Sequence, residues 1–338
     1  MLLSLALIFL CGMVLGKVFE KFKLPNLLGM LLTGILLGPY VLNLIDPAIL
    51  DISTDLRQIA LIIILIRAGL NLDIKDLKEV GRPAILMCFV PACFEIIGML
   101  ILAPILLKVS VLEAAIMGTV VAAVSPAVIV PRMLKLMESG YGTCRSIPQM
   151  IMAGASVDDV FVIVLFTAFT KLAQSGTITP VHFLTIPTAI IFGLLGGAAA
   201  GLALSLLFSK VHIRDTGKVM IILSISFLLV TIEHVITGVI GFSGLLAVMA
   251  LGASIRQKKY EVSKRLSRKF SKLWVGAEVL LFVLVGATVN ISYALNAGFS
   301  AVLLIIGVLL FRMMGVFVCL IRTNFNKKER IFIAFAYT

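Results

Sequence analysis

The sequence predicts an all-α polytopic membrane protein, because of its composition, the length of its apolar runs and the placement of its charges. Of the 338 residues, 61% are hydrophobic and 14% are charged, and the mean hydropathy is +1.16. Soluble domains contain about 45–50% apolar and about 25% charged residues. The apolar residues here form runs of about 20, which is long enough for a helix to cross a bilayer. This pattern excludes a secreted disulfide scaffold, and also a β-barrel, whose strands alternate over about 10 residues.

Charged residues divide the chain into twelve predicted helical segments. In chain order these are 1–16, 25–43, 56–72, 83–107, 111–131, 146–170, 183–209, 218–237, 240–255, 273–290, 298–321 and 329–338. The last segment has only ten residues, too few to span a bilayer as a helix. We therefore expect the C-terminal end of the fold to be truncated in this sequence.

The positive charges lie almost entirely on one side of these segments. Of the 29 lysines and arginines, 24 lie in loops after odd-numbered segments and three in loops after even-numbered ones. Because positively charged loops stay in the cytoplasm during insertion, we expect the odd loops inside and the N-terminus outside. The net charge of +12 is then a topology signal, and no nucleic-acid partner is predicted. The basic loop 256–272 is a candidate for contact with anionic lipid of the bilayer.

Five acidic residues fall inside apolar runs, namely Glu95, Asp158, Asp159, Glu233 and Glu278. A charge at the bilayer centre costs at least about 2.5–3.5 kcal/mol, so each needs a partner, a proton or a water-filled cavity. Asp158 and Asp159 are adjacent near the middle of the sixth segment, and two such acids cannot both ionise cheaply in a low dielectric. A carboxyl group close to neutrality can hold a proton and a small cation in alternation. The pair therefore predicts proton-coupled cation exchange, against the alternative of two structural acids bonded to backbone.

The fifth segment contains Ala-Val-Ser-Pro-Ala-Val-Ile-Val-Pro, with Ser125 and Pro126 at mid-depth and Pro131 closing the motif. Proline lacks a backbone N–H and clashes with the preceding turn, so we expect this helix to break. Irregular backbone inside a membrane is tolerated where it is buried or lines a cavity, and secondary transporters bind ions at broken helices. A simple proline kink is the alternative, and the nearby acid pair favours an ion site.

Glu95 and Arg312 are central in the fourth and eleventh segments and carry opposite charges. An unpaired arginine at that depth is costly, so we predict a buried ion pair that compensates its charge. Its partner is Glu95 or Asp158, and the sequence does not decide between them. Glu278 and Arg67 are secondary candidates, because each lies near a segment end, where contact with the interface would also satisfy its charge.

Glycines repeat every fourth residue in three segments, at Gly12/Gly16, Gly34/Gly38 and Gly193/Gly197/Gly201. Small residues at this spacing let membrane helices approach closely. These positions predict helix–helix contacts, with a dimer interface among the candidates.

Five stretches of the sequence, taken together and in order, carry a resemblance to a known family. They are Leu-Pro-Asn-Leu-Leu-Gly-Met at 24–30, Ile-Arg-Ala-Gly-Leu-Asn-Leu-Asp at 66–73, the proline motif at 123–131, Ala-Ser-Val-Asp-Asp-Val at 155–160 and Leu-Phe-Val-Leu-Val-Gly-Ala at 281–287. Over nearly its whole length the chain resembles the monovalent cation/proton antiporter superfamily, of the cation/proton antiporter-2 type. The resemblance is closest to the branch with bacterial relatives of the mammalian sodium/hydrogen exchanger 9B subfamily.

The resemblance implies an inverted-repeat antiporter fold, in which two broken helices cross inside a six-helix core. It further implies that Asp159 binds Na⁺ (or Li⁺) and the proton in turn, while Asp158 tunes the site. The position of Ser125 implies help in coordinating the ion, and Ser156 joins this predicted ion-binding set. Many relatives have lysine where this chain has Arg312. An arginine side chain does not release its proton in the physiological pH range.

The resemblance also implies that the chain has two functional parts. It further implies that the protein forms a homodimer and lies in a bacterial inner or plasma membrane. A dimerisation scaffold is expected at approximately 1–43 and 183–255, and an ion-transport core at approximately 55–173 and 298–338. A connecting helix is expected at approximately 273–290.

The predicted function is secondary antiport, in which cytoplasmic Na⁺ (or Li⁺) is exchanged for external H⁺ by competition at Asp159. A K⁺/H⁺ efflux antiporter follows the same logic, and a sodium-coupled organic-anion symporter shares the crossed broken helices. An intramembrane aspartyl protease needs its two aspartates on separate helices, so adjacent acids fit it poorly. The sequence has no nucleotide-binding loop, haem motif, zinc spacing or Cys-x-x-Cys pair. We therefore predict a transporter, not an enzyme, with no cofactor besides the transported ions.

Overall fold

The structure, a computed structural model, describes residues 1–73, 81–175, 181–236 and 241–338. Within these ranges the side chains of some helical residues are outside the description, at 156, 159, 160, 167, 171, 174, 175, 181–186, 234 and 292–297. Every regular element in the described ranges is helical. In chain order the α-helices are α1 (Leu2–Lys21), α2 (Asn26–Leu37), α3 (Pro47–Asp51), α4 (Ser53–Asn71), α5 (Arg82–Leu86), α6 (Val90–Leu107), α7 (Val111–Ala122), α8 (Pro126–Glu138), α9 (Ile147–Ser175), α10 (Val181–Lys210), α11 (Asp215–Ile236), α12 (Gly244–Lys258), α13 (Tyr260–Ala287), α14 (Ile291–Cys319) and α15 (Lys327–Ala336), with a 3₁₀ turn at Thr143–Arg145.

The predicted all-α membrane architecture is confirmed by the length and apolarity of these helices. Within the described residues, seven helical stretches are long and apolar enough to cross a membrane. They are Leu2–Lys21, Arg82–Leu107, Val111–Glu138, Pro187–Lys210, Asp215–Glu233, Tyr260–Ala287 and Gly298–Cys319. The chain is therefore a multi-pass membrane protein.

Residues 256–272 lie at the end of α12 and the start of α13, with only Lys259 between the two helices, which corrects the prediction of a basic loop. Helix α13 begins at Tyr260 and continues into the apolar run. Leu266, Phe270 and Trp274 recur at every fourth position and are at most 3% exposed. Lysine, arginine and glutamate are good helix formers, and apolar residues at this spacing give the helix one buried face. The many charged residues between these apolar positions made the helical periodicity hard to see in the sequence.

The chain divides into two compact units, of which the first comprises Met1–Ile64 and Arg268–Gly298. Its helices pack closely at the predicted glycines. A Cβ atom added at Gly34 would lie 2.0 Å from the carbonyl oxygen of Val283, and one at Gly12 would lie 2.8 Å from the Val279 side chain. Real Cβ atoms are not found at such distances, so glycine is what permits α1 and α2 to contact α13.

The second unit comprises Leu65–Ser267 and Phe299–Thr338. In it, the glycine repeat of α10 lies against α12, where a Cβ atom at Gly197 would be 2.1 Å from the Ala247 carbonyl oxygen. Gly193 and Gly201 are similarly close to the Ser243 and Leu251 carbonyl groups. The predicted helix–helix contact is confirmed, but this face is covered by the same chain. A dimer interface on another face of these helices stays a prediction.

Candidate functional site

The fifth predicted segment is broken as expected, between α7 and α8. Ala123 and Ser125 have extended backbones, with ψ angles of 111° and 109°. Pro126 then occupies the first position of α8, where a missing N–H leaves no helical bond unmade. Helix α8 continues through Pro131 without a second break. The break therefore lies at Ser125-Pro126 rather than at both prolines.

This break also leaves a carbonyl group free inside the second unit. In a continuous helix, the Ala122 carbonyl would accept a hydrogen bond from the residue four positions later, which is Pro126 and has no N–H. In the structure this carbonyl accepts a hydrogen bond of 2.8 Å from the Arg312 guanidinium. The proline that ends α7 thus creates the acceptor that Arg312 occupies.

A second break, between α5 and α6, was not expected from the sequence, which predicted one continuous segment. The residue four positions after Met87 is Pro91, which lies in the first turn of α6. In a continuous helix a proline ring clashes with the carbonyl group four residues earlier, and proline has no N–H to donate to it. The Met87 carbonyl instead accepts a hydrogen bond of 2.7 Å from the Tyr337 hydroxyl. The same local rule thus produces a second free acceptor.

Arg312 lies at the centre of a buried charge cluster, which we define as Arg312, Glu95 and Asp158. One guanidinium nitrogen (Nη1) donates to the Glu95 carboxylate, and the other (Nη2) donates to Asp158 Oδ2 at 3.1 Å. Glu95 is 1% exposed, Asp158 is fully buried and Arg312 is 2% exposed. The sequence left the partner of Arg312 open between the two acids. Both acids bind it at once, from α6 and α9.

Tyr337 completes the surroundings of Arg312, at the end of α15. Its carbonyl oxygen accepts a hydrogen bond of 2.8 Å from Arg312 Nε, and its ring lies 5.2 Å from the guanidinium carbon. An arginine over an aromatic face gains electrostatic attraction beyond packing. Tyr337 is fully buried, and a Cβ atom on Gly154 of α9 would lie 3.0 Å from its hydroxyl. Tyr337 therefore fixes Arg312 through both backbone and ring.

The C-terminal ends of α7 and α15 both point carbonyl groups at Arg312. The last carbonyls of a helix lack helical partners and carry a partial negative charge, so a cation there is stabilised. Arg312 therefore binds two carboxylates and two helix ends with its three guanidinium nitrogens. A planar fork of five N–H donors suits this set of acceptors, and a lysine would offer a single point charge.

One carboxylate oxygen of the buried charge cluster, Asp158 Oδ1, has an incomplete set of hydrogen bonds. Asp158 Oδ1 is buried and accepts no hydrogen bond of normal geometry from the described residues. The backbone amide of Val124, which lies in the α7–α8 break, is close to the same carboxyl group. The break thus adjoins the Asp158 carboxyl group, and a proton or a cation is stabilising at a buried carboxylate oxygen whose hydrogen bonds are incomplete.

The other predicted site residues are distributed as follows. Asp159 and Ser156 belong to α9, and their side chains lie outside the described part of the structure. Ser125 lies in the break with an exposed side chain. Arg67 does not join the buried charge cluster; it pairs with Glu138 at 3.1 Å in α8.

Two acids outside the buried charge cluster occupy other positions. Glu278 lies in the part of α13 that belongs to the first unit and is partly buried. Glu233 accepts a hydrogen bond of 3.0 Å from the amide of Gly244, at the start of α12. Glu233 thus acts on a helix terminus, which agrees with its position near a segment end.

Sequence reasoning missed Tyr337 and the carbonyl groups of Ala122 and Met87. The signal for the carbonyls was present, because each lies four residues before a proline inside an apolar run. No comparable signal marked Tyr337, since its partners are 25 and 250 residues away in the chain.

Comparison with known proteins agrees with this arrangement. A family model described as "Sodium/hydrogen exchanger, transmembrane" matches residues 5–338. The chain is 34% identical over 354 residues to sodium/hydrogen exchanger 9B2 of Mus musculus, covering 99% of this chain and 63% of that protein. It is 32% identical over 351 residues to the same exchanger of Homo sapiens, covering 99% and 64% of the two chains. The chain therefore spans less than two-thirds of these relatives' length.

A solved structure gives the same result for the fold. The sodium proton antiporter MjNhaP1 from Methanocaldococcus jannaschii, determined at pH 8, superposes with a TM-score of 0.80 at 20% identity. The superposition covers 98% of this chain and 80% of the other. The predicted antiporter fold is thereby confirmed.

Proposed function

The chain belongs to the sodium/hydrogen exchanger family, and we propose that it is a secondary antiporter that exchanges a monovalent cation for a proton. The observation that carries this proposal is the buried charge cluster, where one guanidinium faces two carboxylates beside a helix break. Neither the site nor the family calls for covalent chemistry, so the proposed activity is transport without an enzymatic step.

Charge balance explains why this site would alternate between a proton and a cation. If Glu95 and Asp158 are both ionised, they carry one negative charge more than Arg312 neutralises. Removing one partner from a buried ion pair costs about 3–5 kcal/mol, and a surplus carboxylate in the same setting is unfavourable for the same reason. A proton or a monovalent cation removes that surplus, and the two ligands therefore compete.

We assign the exchanged ions to Asp159, the residue that follows Asp158 of the buried charge cluster in α9, with Na⁺ or Li⁺ and H⁺ bound in turn. Asp158 is bound by Arg312 and would tune the charge beside this position. Oxygen ligands of the kind that alkali cations accept would come from Ser125, in the break, and from Ser156, which lies one helical turn before Asp159. Arg312 would serve as a fixed charge, because arginine keeps its proton.

Alternating access would follow from movement of one part of the molecule against another. We propose that the core at approximately 55–173 and 298–338 moves against the scaffold at approximately 1–43 and 183–255, joined by the helix near 273–290. Only a neutralised site would cross the membrane at low cost. The proposed assembly is a homodimer in a bacterial inner or plasma membrane, with the N-terminus outside.

The decisive experiment is the Asp159→Asn variant in proteoliposomes that contain a pH-sensitive dye. We expect cation-driven proton movement to be abolished, because an amide can neither release a proton nor bind Na⁺ by charge. Asp55→Asn is the matched control, since Asp55 is an exposed acid in the first turn of α4 and should leave exchange unchanged. Undiminished exchange in Asp159→Asn, with correct insertion, would refute the assignment.

The same vesicles separate this proposal from its rivals. Comparing Na⁺, Li⁺ and K⁺ at equal concentration distinguishes a sodium exchanger from a K⁺/H⁺ efflux antiporter by which cation moves the dye signal. A sodium-coupled organic-anion symporter would instead give Na⁺-dependent uptake of a labelled organic anion, with no cation-driven proton movement.

A further inference from the structure

A cavity of about 640 Å³ lies at the helix ends of the second unit, away from the buried charge cluster. Three separate turns line it: the start of α5, the 3₁₀ turn before α9 and the link between α14 and α15. Its lining includes Arg82, Cys144, Arg145, Arg322, Thr323 and Phe325. We define this as the arginine cavity. Its size is within the range of about 300–1,000 Å³ found for small-ligand sites.

The arginine cavity carries a surplus of positive charge. Arg145 binds the Glu329 carboxylate at 2.6 Å and the Asn324 carbonyl at 2.5 Å. Arg82 donates only to the Ile321 carbonyl, at 3.1 Å, and like Arg322 it makes no ion pair with any described residue. Of the three arginines that line the cavity, one is thus paired with a carboxylate in the described part of the chain.

The position of the three arginines on the chain places them on one side of the membrane. They lie after the third, fifth and eleventh apolar segments, which are all odd-numbered, so their turns emerge on the same face. Basic pockets between membrane helices on the positively charged face bind the head groups of anionic lipids. The arginine cavity combines that position with polar lining from Thr323 and an apolar side at Phe325.

We propose that the arginine cavity binds a phosphate group, presented by the head group of an anionic lipid or by a soluble phosphate. A guanidinium matches two phosphate oxygens with two parallel N–H donors, and such charge-assisted bonds are the strong ones. Arg82 and Arg322 would bind the phosphate oxygens, while Arg145 is held in place by Glu329. This inference does not depend on the proposed antiport, because binding is measured without transport.

The test is a thermal melting titration of the purified protein in neutral detergent at low salt. Three probes are compared: phosphatidylglycerol, phosphatidylcholine with the same acyl chains, and inorganic phosphate. A ligand that binds the folded state raises the melting temperature by an amount that grows with the logarithm of its concentration relative to its Kd. We expect Arg322→Gln to weaken the stabilising ligand about tenfold. Arg268→Gln removes the same charge at an exposed position outside the cavity and should leave the titration unchanged.

The outcomes distinguish the sources of the phosphate. Stabilisation by phosphatidylglycerol but not by phosphatidylcholine, lost in Arg322→Gln, would assign a lipid head group. Stabilisation by inorganic phosphate alone, with the same dependence on Arg322, would assign a soluble ligand. Equal weakening in Arg322→Gln and Arg268→Gln, or no stabilisation by any probe, would overturn the proposal. If Arg322→Gln does not give a monodisperse protein, Arg82→Gln is judged by the same criteria.

Discussion

Arg67 and Arg312 are the two arginines that lie inside apolar runs, and they are bound in different ways. Both are buried, at 7% and 2% exposed. Arg67 pairs with Glu138, whose side chain is 69% exposed, and its Nε has no hydrogen-bond partner among the described residues. Arg312 uses all three nitrogens, and both of its carboxylate partners are at most 1% exposed.

The comparison shows that the contribution of a buried arginine to stability depends on whether its partner acids are exposed to water or buried once it is removed. Without Arg67, Glu138 is still in contact with water, so little is lost. Without Arg312, Glu95 and Asp158 remain buried with like charges and no compensation. Arg312 lies centrally in its apolar run and Arg67 near the end of its own, and the structure adds a difference in the solvent access of the acids that they bind.

Arg312→Gln should give the largest effect. We expect the free energy of unfolding to fall by about 3–5 kcal/mol, because two buried carboxylates lose their counter-charge. Unfolding in mixed detergent micelles, followed by the fluorescence of the single tryptophan, Trp274, measures this. As a control, adding Glu95→Gln and Asp158→Asn to Arg312→Gln should recover part of the loss. A loss below about 1 kcal/mol in the single variant would show that these acids are not charged together.

Arg312→Lys sharpens the comparison by keeping the charge and removing the fork. A single ammonium group cannot reach two carboxylates and the carbonyls of Ala122 and Tyr337 together, so at least one acceptor is left unsatisfied. We expect a loss of about 1–3 kcal/mol in the same unfolding assay. Stability equal to that of the unsubstituted protein would mean that the geometry of the guanidinium contributes nothing.

Tyr337→Phe removes the hydroxyl group that binds the Met87 carbonyl and keeps the ring beside Arg312. We expect a loss of about 1 kcal/mol, because one buried carbonyl loses its donor while the cation–π contact persists. Tyr141→Phe is the control, since Tyr141 is 70% exposed and its hydroxyl can bond to water. Equal effects of the two substitutions would contradict a specific role for Tyr337 at the α5–α6 break.

Arg67→Gln should give the smallest effect. Its partner Glu138 is largely exposed and is solvated without it, so we expect a change of less than about 1 kcal/mol. A loss as large as that of Arg312→Gln would break the comparison, and would mean that burial of the arginine itself, rather than of its partners, sets the energy. Parallel unfolding curves of the two variants give the answer directly.

The sequence predicted much of the charge cluster because membrane burial makes charge conspicuous. Glu95, Asp158 and Arg312 are visible as ionisable residues in apolar runs, and the break at Ser125-Pro126 follows from the chemistry of proline. The first half of the helix Tyr260–Ala287 was missed, since the dense charge of residues 256–272 resembled a loop, whereas its second half was predicted as the segment 273–290. The second break at Met87 was also missed, although Pro91 carried the same signal as Pro126.

What the sequence by itself determined is therefore local: the helices, their apolarity, and the carbonyl groups that two prolines release four residues earlier. What only the tertiary structure decided is which side chains occupy those carbonyls and share the buried charge. Arg312 is 190 residues from Ala122, and Tyr337 is 250 residues from Met87. Proline acts through its own covalent geometry and needs no partner, whereas a buried charge is stabilised by whatever donors and acceptors the packed helices bring to it.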